Sequence, residues 1–198
     1  NEVNYEYSYG YQNWFESAKY ETINARKNVA LFELSPFAKF DLCGSQAYSS
    51  LQYICSNDIK DQIGAITYTQ MLNTKGGIEA DLTVTCLEKN NFRIITGSGV
   101  RRHNAKHILK YLNNTVDFKD VTDDFVCFGV FGPKSRMLLT EIFGDYFSSN
   151  SFKFGFGKKI LINEIELWFQ RISYVGELGW EIYIPFQRSE EIYEDIIK

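Results

Sequence analysis

What this chain of 198 residues lacks narrows its function before any motif is considered. No run of apolar residues approaches the roughly 20 needed to cross a bilayer as a helix. Lys and Arg number 21 against 25 Asp and Glu, a net charge of −4. No basic stripe breaks that balance, which sets aside a nucleic-acid partner. The opening residues Asn-Glu-Val-Asn-Tyr-Glu lack the basic and apolar regions of a signal peptide. An initiator Met is also missing, so a processed chain or an excised piece is expected. There is no Cys-x-x-Cys: Cys43, Cys55, Cys86 and Cys127 are far apart in apolar stretches, the pattern of buried, reduced thiols in an intracellular protein. The two histidines, His103 and His107, have metal-ligand spacing on a helix but no nearby acidic or cysteine partner. They are expected on a solvated helix face, with no metal site. Low-complexity linkers and internal repeats are absent too.

What is present is an ordinary core-forming composition, 44% hydrophobic and 23% charged, with an unusually high aromatic share of 16%. Most such rings build core, and some can wall a flat heterocycle. A helix is expected over about 17–30 with Tyr20, Ile23 and Ala30 on one apolar stripe. A strand follows at 37–43, then a short helix capped by Ser45. A hairpin at 65–87, a strand at 91–96 and a helix at 101–112 come next. Strands at 116–121 and 125–131 lead to Gly132-Pro133, where proline suits the first turn of a helix over 134–143. A loop at 152–157, strands within 159–173 and at 180–184, and a helix from Ser189 complete the chain. Hairpins with interspersed helices predict an α+β fold of mainly antiparallel sheets with packed helices, over a region 1–198 that admits two intimately packed subdomains.

The segment 68–87 is the most informative. Asn73 to Gly77 is a turn, its paired glycines supplying the positive φ of a tight hairpin. From there Ile78, Ala80, Leu82, Val84 and Cys86 face one way, and Glu79, Asp81, Thr83 and Thr85 the other. Asp81 is thereby a short carboxylate held in mid-strand, a good mount for charge chemistry in fixed geometry. A plain row of solvent-facing polar residues is the alternative. Gly97-Ser-Gly-Val-Arg-Arg102 follows a strand and opens a helix, as a dinucleotide loop would. Arg102 replaces its third glycine, and no parallel βαβ unit surrounds it. It is a tight turn with free amides at a helix N-terminus, and no flavin or nicotinamide module is expected within the chain.

Four segments in order carry a family resemblance: Tyr11–Glu16, Ala30–Phe40, Tyr68–Leu87 and Arg171–Pro185. Together they resemble the folate-binding region of the glycine-cleavage T-protein family, nearest to that of dimethylglycine and sarcosine dehydrogenases. The resemblance runs from about residue 9 to the end. It implies a T-protein-like folate-binding fold, tetrahydrofolate as the bound cofactor and a small amine as substrate. FAD is implied only in a flavin-bearing dehydrogenase domain or subunit outside this chain. Asp81 aligns with the acid that such proteins use at the reacting nitrogens. Glu177, between Gly176 and Gly179 in a turn linking two strands, is the implied acceptor of the guanidine-like pterin edge. Tyr174, Tyr68 and Gln70 are the implied lining of the same pocket, and Gly97 and Ser98 its border.

The activity implied is one-carbon transfer from an oxidised N-methyl amine, such as dimethylglycine or sarcosine, to form methylenetetrahydrofolate. No Ser-His or Cys-His signature is present, and that chemistry requires no covalent nucleophile. Two alternatives stay open. One is a glycine-cleavage-type aminomethyltransferase, which is expected to read Asp-Asp where this chain has Ala80-Asp81. The other is a folate-binding module without catalysis. Family members continue into a further C-terminal β-rich domain that supplies a basic contact, with Arg171 and Arg101 the nearest substitutes here. Cys86 stands where the dehydrogenases tend to have arginine. Apolar surface that such a domain covers is expected to favour a homodimer. The implied compartment is the cytoplasm in a bacterium and the mitochondrial matrix in a eukaryote.

Overall fold

Apolar residues alternating with polar ones build strands that bury one face each. Among the described residues, 4–198 of a computed structural model, these strands pair into two five-stranded sheets. Asn1 to Val3, the start of the expected 1–198 region, lie outside the described residues. In chain order the elements begin with α1 (Phe15–Lys27), β1 (Ala30–Glu33), β2 (Ala38–Cys43) and α2 (Ala47–Ile54). The hairpin β3 (Ile66–Leu72) and β4 (Ile78–Glu88) leads to β5 (Asn91–Thr96), α3 (Arg101–Leu109) and β6 (Asp117–Asp120). Then come β7 (Phe125–Phe131), α4 (Ser135–Phe143), β8 (Gly157–Ile162), β9 (Ile165–Gln170), β10 (Gly179–Pro185) and α5 (Ser189–Ile197).

The first sheet has the order β3-β4-β5-β2-β6 and the second β1-β7-β10-β9-β8. Every pairing is antiparallel. The expected fold class is the one observed. One face of the first sheet buries Phe40, Leu42, Leu82, Val84, Phe92 and Ile94 against Leu51 and Ile54 of α2 and Ile108 of α3. One face of the second buries Val130, Phe169, Trp180 and Ile182 against Leu139 of α4 and Ile192 of α5. Between the sheets lies a thinner layer of Ile95, Cys127 and Tyr183. There Gln170 Nε2 of β9 donates to Thr85 Oγ1 of β4 at 3.0 Å.

Several local expectations need correction. The α1 stripe does not face a core: Tyr20 is 74% and Ile23 44% exposed, and Ala25 is the buried residue of that helix. Ser45 does not cap α2; Gln46 occupies the cap position, with no side-chain hydrogen bond. The span 159–173 is a tight hairpin, β8 and β9, with Asn163 and Glu164 at positive φ. On β4, Thr85 is buried because the second sheet covers its face. At the other end Met71 pairs with Ala80 but Leu72 with Ile78, so Glu79 is an extra, bulged residue and Ile78 turns outward.

Core position and exposed stripe should therefore separate cleanly in stability. Ile94→Ala, wholly buried, is expected to cost about 2–5 kcal/mol. Ile23→Ala should stay within about 0.5 kcal/mol. Urea unfolding followed by circular dichroism measures both; a large loss at Ile23 would place α1 in the core after all.

Candidate functional site

Asp81 lies in the middle of β4, where register fixes its surroundings. Its direct cross-strand neighbour on β3 is Gln70, whose Nε2 donates to Asp81 Oδ1 at 3.3 Å. Tyr68 lies two residues along the same face of β3. Donation to Asp81 raises the Tyr68 phenol above its ordinary value; slight burial and the charge of Asp81 push the same way, and Gln70 works against them. On the other side Thr96 Oγ1 donates to the Asp81 backbone carbonyl at 3.0 Å and accepts from the buried Asn104 Nδ2 at 2.9 Å. These bonds hold the strand from both edges, and Asp81 itself stays exposed to solvent.

Leu82 pairs with Thr96, so the next step of the register sets Gly97 beside Asp81. A Cβ on Gly97 would meet nothing nearer than Val100 Cγ2 at 3.7 Å, which leaves room next to the carboxylate. Ser98 opens the short 3-10 turn that follows and is exposed at the same rim.

Glu177 is on the other sheet, in the loop between β9 and β10. Gly176, at φ +75°, turns the chain there in a conformation that residues with a Cβ rarely adopt. Glu177 Oε1 accepts from Arg26 Nη1 of α1 at 2.8 Å. Both residues line a hollow of about 830 Å³ between α1, β1 and the 174–177 loop. That volume falls in the range of small-molecule pockets, about 300–1,000 Å³. Tyr174 is on the same wall. Strand register gathers Asp81, Gln70, Tyr68, Gly97 and Ser98 in one place, and Tyr174 and Glu177 line the hollow.

The basic residues behave differently from expectation. Arg101 is bound to Asp120 at 2.7 Å and Asp123 at 3.0 Å, and this pairing raises its pKa and occupies its guanidinium. Arg171 points inward: Nη1 donates to the Phe152 carbonyl at 2.6 Å and the guanidinium lies 5.7 Å from the Trp180 ring. Burial and the neighbouring Arg136 lower its pKa. The histidines also part company. His103 contacts the bulged Glu79 at 2.8 Å, while His107 is buried edge-on against Tyr111. Among the described residues no group of three or more His, Cys, Asp and Glu could hold a metal ion. No helix among them is long and apolar enough to cross a membrane. Arg26 escaped the sequence analysis because 151 positions separate it from Glu177. Thr96 and Asn104 escaped it because neither lies in a distinctive motif.

The architecture has close counterparts. The structure superposes on the glycine cleavage system aminomethyltransferase T of Bartonella henselae with a TM-score of 0.81 at 20% identity, covering 98% of this chain and 53% of that one. The model of the GCVT N-terminal domain matches residues 2–198. The chain belongs to that family. This GCVT N-terminal domain is 36% identical over 180 residues to 4-methylaminobutanoate oxidase (formaldehyde-forming) of Paenarthrobacter nicotinovorans, covering 90% of the chain and 22% of the relative. It is 33% identical over 199 residues to mitochondrial dimethylglycine dehydrogenase of Rattus norvegicus, covering 99% and 23%. The chain therefore spans less than a quarter of the length of these relatives.

Within this GCVT N-terminal domain the influence of Asp81 on Tyr68 can be measured without any ligand. Asp81→Asn removes the anion that favours the neutral phenol, so the Tyr68 pKa is expected to move down toward that of an unperturbed tyrosine. Titration of ring-labelled tyrosines by NMR, assigned with Tyr68→Phe, reads the shift. An unchanged Tyr68 titration would dissolve the network.

Proposed function

We propose that this chain is a tetrahydrofolate-dependent one-carbon transfer domain that takes carbon from an oxidised N-methyl amine and delivers methylenetetrahydrofolate. The observation that carries this is the placement of Asp81: a solvent-facing carboxylate on a strand braced from both sides, in a fold that also presents a second acid, Glu177, at the wall of a hollow. The printed names of two relatives, a formaldehyde-forming methylamino oxidase and a dimethylglycine dehydrogenase, point to N-methyl amines as the donor class.

The residues present suit a pterin. Glu177 Oε1 is taken by Arg26, but no hydrogen bond reaches Oε2 among the described residues. A carboxylate facing a hollow can accept two parallel N–H bonds, an orienting arrangement. Tyr174, 98% exposed, offers a ring for stacking at the same wall. Tetrahydrofolate, when bound, supplies a nucleophilic nitrogen for the electron-poor carbon of the oxidised amine. Asp81 sets a fixed negative charge where positive charge develops and takes the proton that the attacking nitrogen loses. Gln70 holds one oxygen of that carboxylate in place, and Tyr68 shares the same face of β3. The rest of the acceleration comes from keeping amine and folate together. A flavin-bearing domain or subunit outside this chain would oxidise the amine.

Glycine-cleavage-type aminomethyl transfer and folate binding without catalysis make different predictions in one assay. Tetrahydrofolate is titrated by calorimetry, and methylene transfer from formaldehyde is followed in the same samples. Binding without transfer in the parent chain would favour the non-catalytic module, and absence of binding would overturn all three. With transfer present, Asp81→Asn should keep the fold and bind tetrahydrofolate within about threefold of the parent while transfer falls about 10²–10⁴-fold, the usual share of a positioned acid–base group. Turnover at the parent rate would remove Asp81 from the mechanism.

A further inference from the structure

The contact between Arg26 and Glu177 is an odd feature for a binding site. The acid best placed to receive a ligand already holds a guanidinium, at 2.8 Å on one oxygen. The side chains differ in exposure: Arg26 is 54% exposed and Glu177 only 22%. The more solvated member is therefore the one free to leave. Its departure needs no movement of the main chain. A Cβ on Gly132 would collide with the backbone of Ala25, Asn28 and Val29, so the chain passes there in close contact. Lys134 N–H also donates to the Asn28 carbonyl at 2.9 Å, which pins the end of α1 that carries Arg26. Further along α1, toward its start, Tyr20 and Ile23 are exposed. A side-chain rotation at Arg26 empties the carboxylate while the wall of the hollow stays in place.

An arginine guanidinium and the 2-amino-4-oxo edge of a pterin offer the same pattern, adjacent N–H donors in one plane. We propose that Arg26 is an internal stand-in for the ligand: it occupies the Glu177 carboxylate in the free protein and is displaced by a heterocycle with a guanidine-like edge. This rests on Glu177 being the pterin acceptor. Arg26 then acts as a specificity-determining residue. A ligand that makes a single hydrogen bond does not replace an ion pair, whereas one that makes two in parallel does. Once released, the cation remains in the hollow, close to the ligand it has admitted.

The test compares the parent chain with Arg26→Met, Arg26→Lys and Glu177→Gln, using tetrahydrofolate in calorimetric titrations at 0.05 M and 0.5 M NaCl. Removing the competing charge in Arg26→Met should tighten binding about 1.5- to fivefold, the equivalent of an exposed ion pair's usual worth. Raising salt should tighten the parent, by screening the ion pair, and leave Arg26→Met nearly unchanged. Arg26→Lys, which retains a cation on a similar stem, should stay near the parent. Arg26 is exposed, and matched thermal melts check that the variants fold. Equal or weaker binding by Arg26→Met, with Glu177→Gln deficient, would overturn the stand-in and leave Glu177 as the acceptor. Parent-like binding by Glu177→Gln would instead remove the acceptor itself, and the stand-in with it. Binding by none of the four proteins would have the same consequence. Binding seen in Arg26→Met alone would support the stand-in.

Discussion

The two acids of the site lie on different sheets, and a short backbone stitch fixes one sheet against the other. Ala65, just before β3, bridges Phe156, and Ile66 N–H donates to the Gly155 carbonyl at 2.9 Å. Gly157 N–H donates to the Gly64 carbonyl at 2.6 Å. The same segment turns to the second sheet: Gly155 N–H donates to the Arg171 carbonyl and Arg171 N–H to the Phe156 carbonyl, both at 2.9 Å. Arg171 begins the loop that carries Tyr174 and Glu177, and β3 carries Tyr68 and Gln70. A run of main-chain hydrogen bonds thus couples the loop of one acid to the strand beside the other. Backbone bonds tolerate little displacement before they break. These bonds hold the loop of Glu177 against the strand beside Asp81.

The layer between the sheets supports that setting with polar groups that have few places to go. Lys39 is wholly buried, its ammonium donating to the carbonyls of Ser35 at 2.8 Å and Phe37 at 2.9 Å. Tyr183 donates to Glu181 Oε2 at 2.7 Å. Burial lowers the Lys39 pKa and raises that of Glu181, so both move toward their neutral forms. Arg93 joins Asp41 through two hydrogen bonds at 2.7 and 2.8 Å and lies 4.2 Å from the Phe125 ring of the other sheet. An all-apolar layer could slide by a residue at little cost. Here a slip would strand a charge or an unpaired donor, an expensive state away from water.

Local pattern made much of this visible in advance. The hairpin turn is where paired glycines place it, with Gly76 at φ +77°, and β5 and β7 run over the expected residues. Asp81 was legible as a strand-mounted acid because alternation at period two is a strong signal, and Gln70 and Tyr68 follow from hairpin register. Features that depend on distant chain were not legible. Thr85 looks solvent-facing until a second sheet covers it. Glu79 leaves its row because a bulge cannot be read from alternation alone. Tyr20 and Ile23 have helical spacing, yet nothing in their own segment says whether a neighbour covers them. Arg101 is claimed by Asp120 and Asp123, across the gap between α3 and the end of β6. The partnership of Arg26 with Glu177 has no local trace at all.

The two ends of the site also differ in stiffness, and the difference suits their proposed tasks. Asp81 sits within an eleven-residue strand paired on both sides, its carbonyl tied to Thr96 and its carboxylate to Gln70. A charge meant to stabilise a developing charge gains from being held, because no reorganisation is then needed at the moment of reaction. Glu177 and Tyr174 sit on a loop, Tyr174 almost fully in solvent. Glu177, as the proposed recognition group, needs access to the hollow, since Arg26 leaves it by side-chain rotation. Loops on a rigid scaffold combine both. An acid moved from the strand to the loop would lose its aim. The division between strand and loop therefore fits the proposed roles, a reacting charge held still at Asp81 and a recognition group open to the hollow at Glu177.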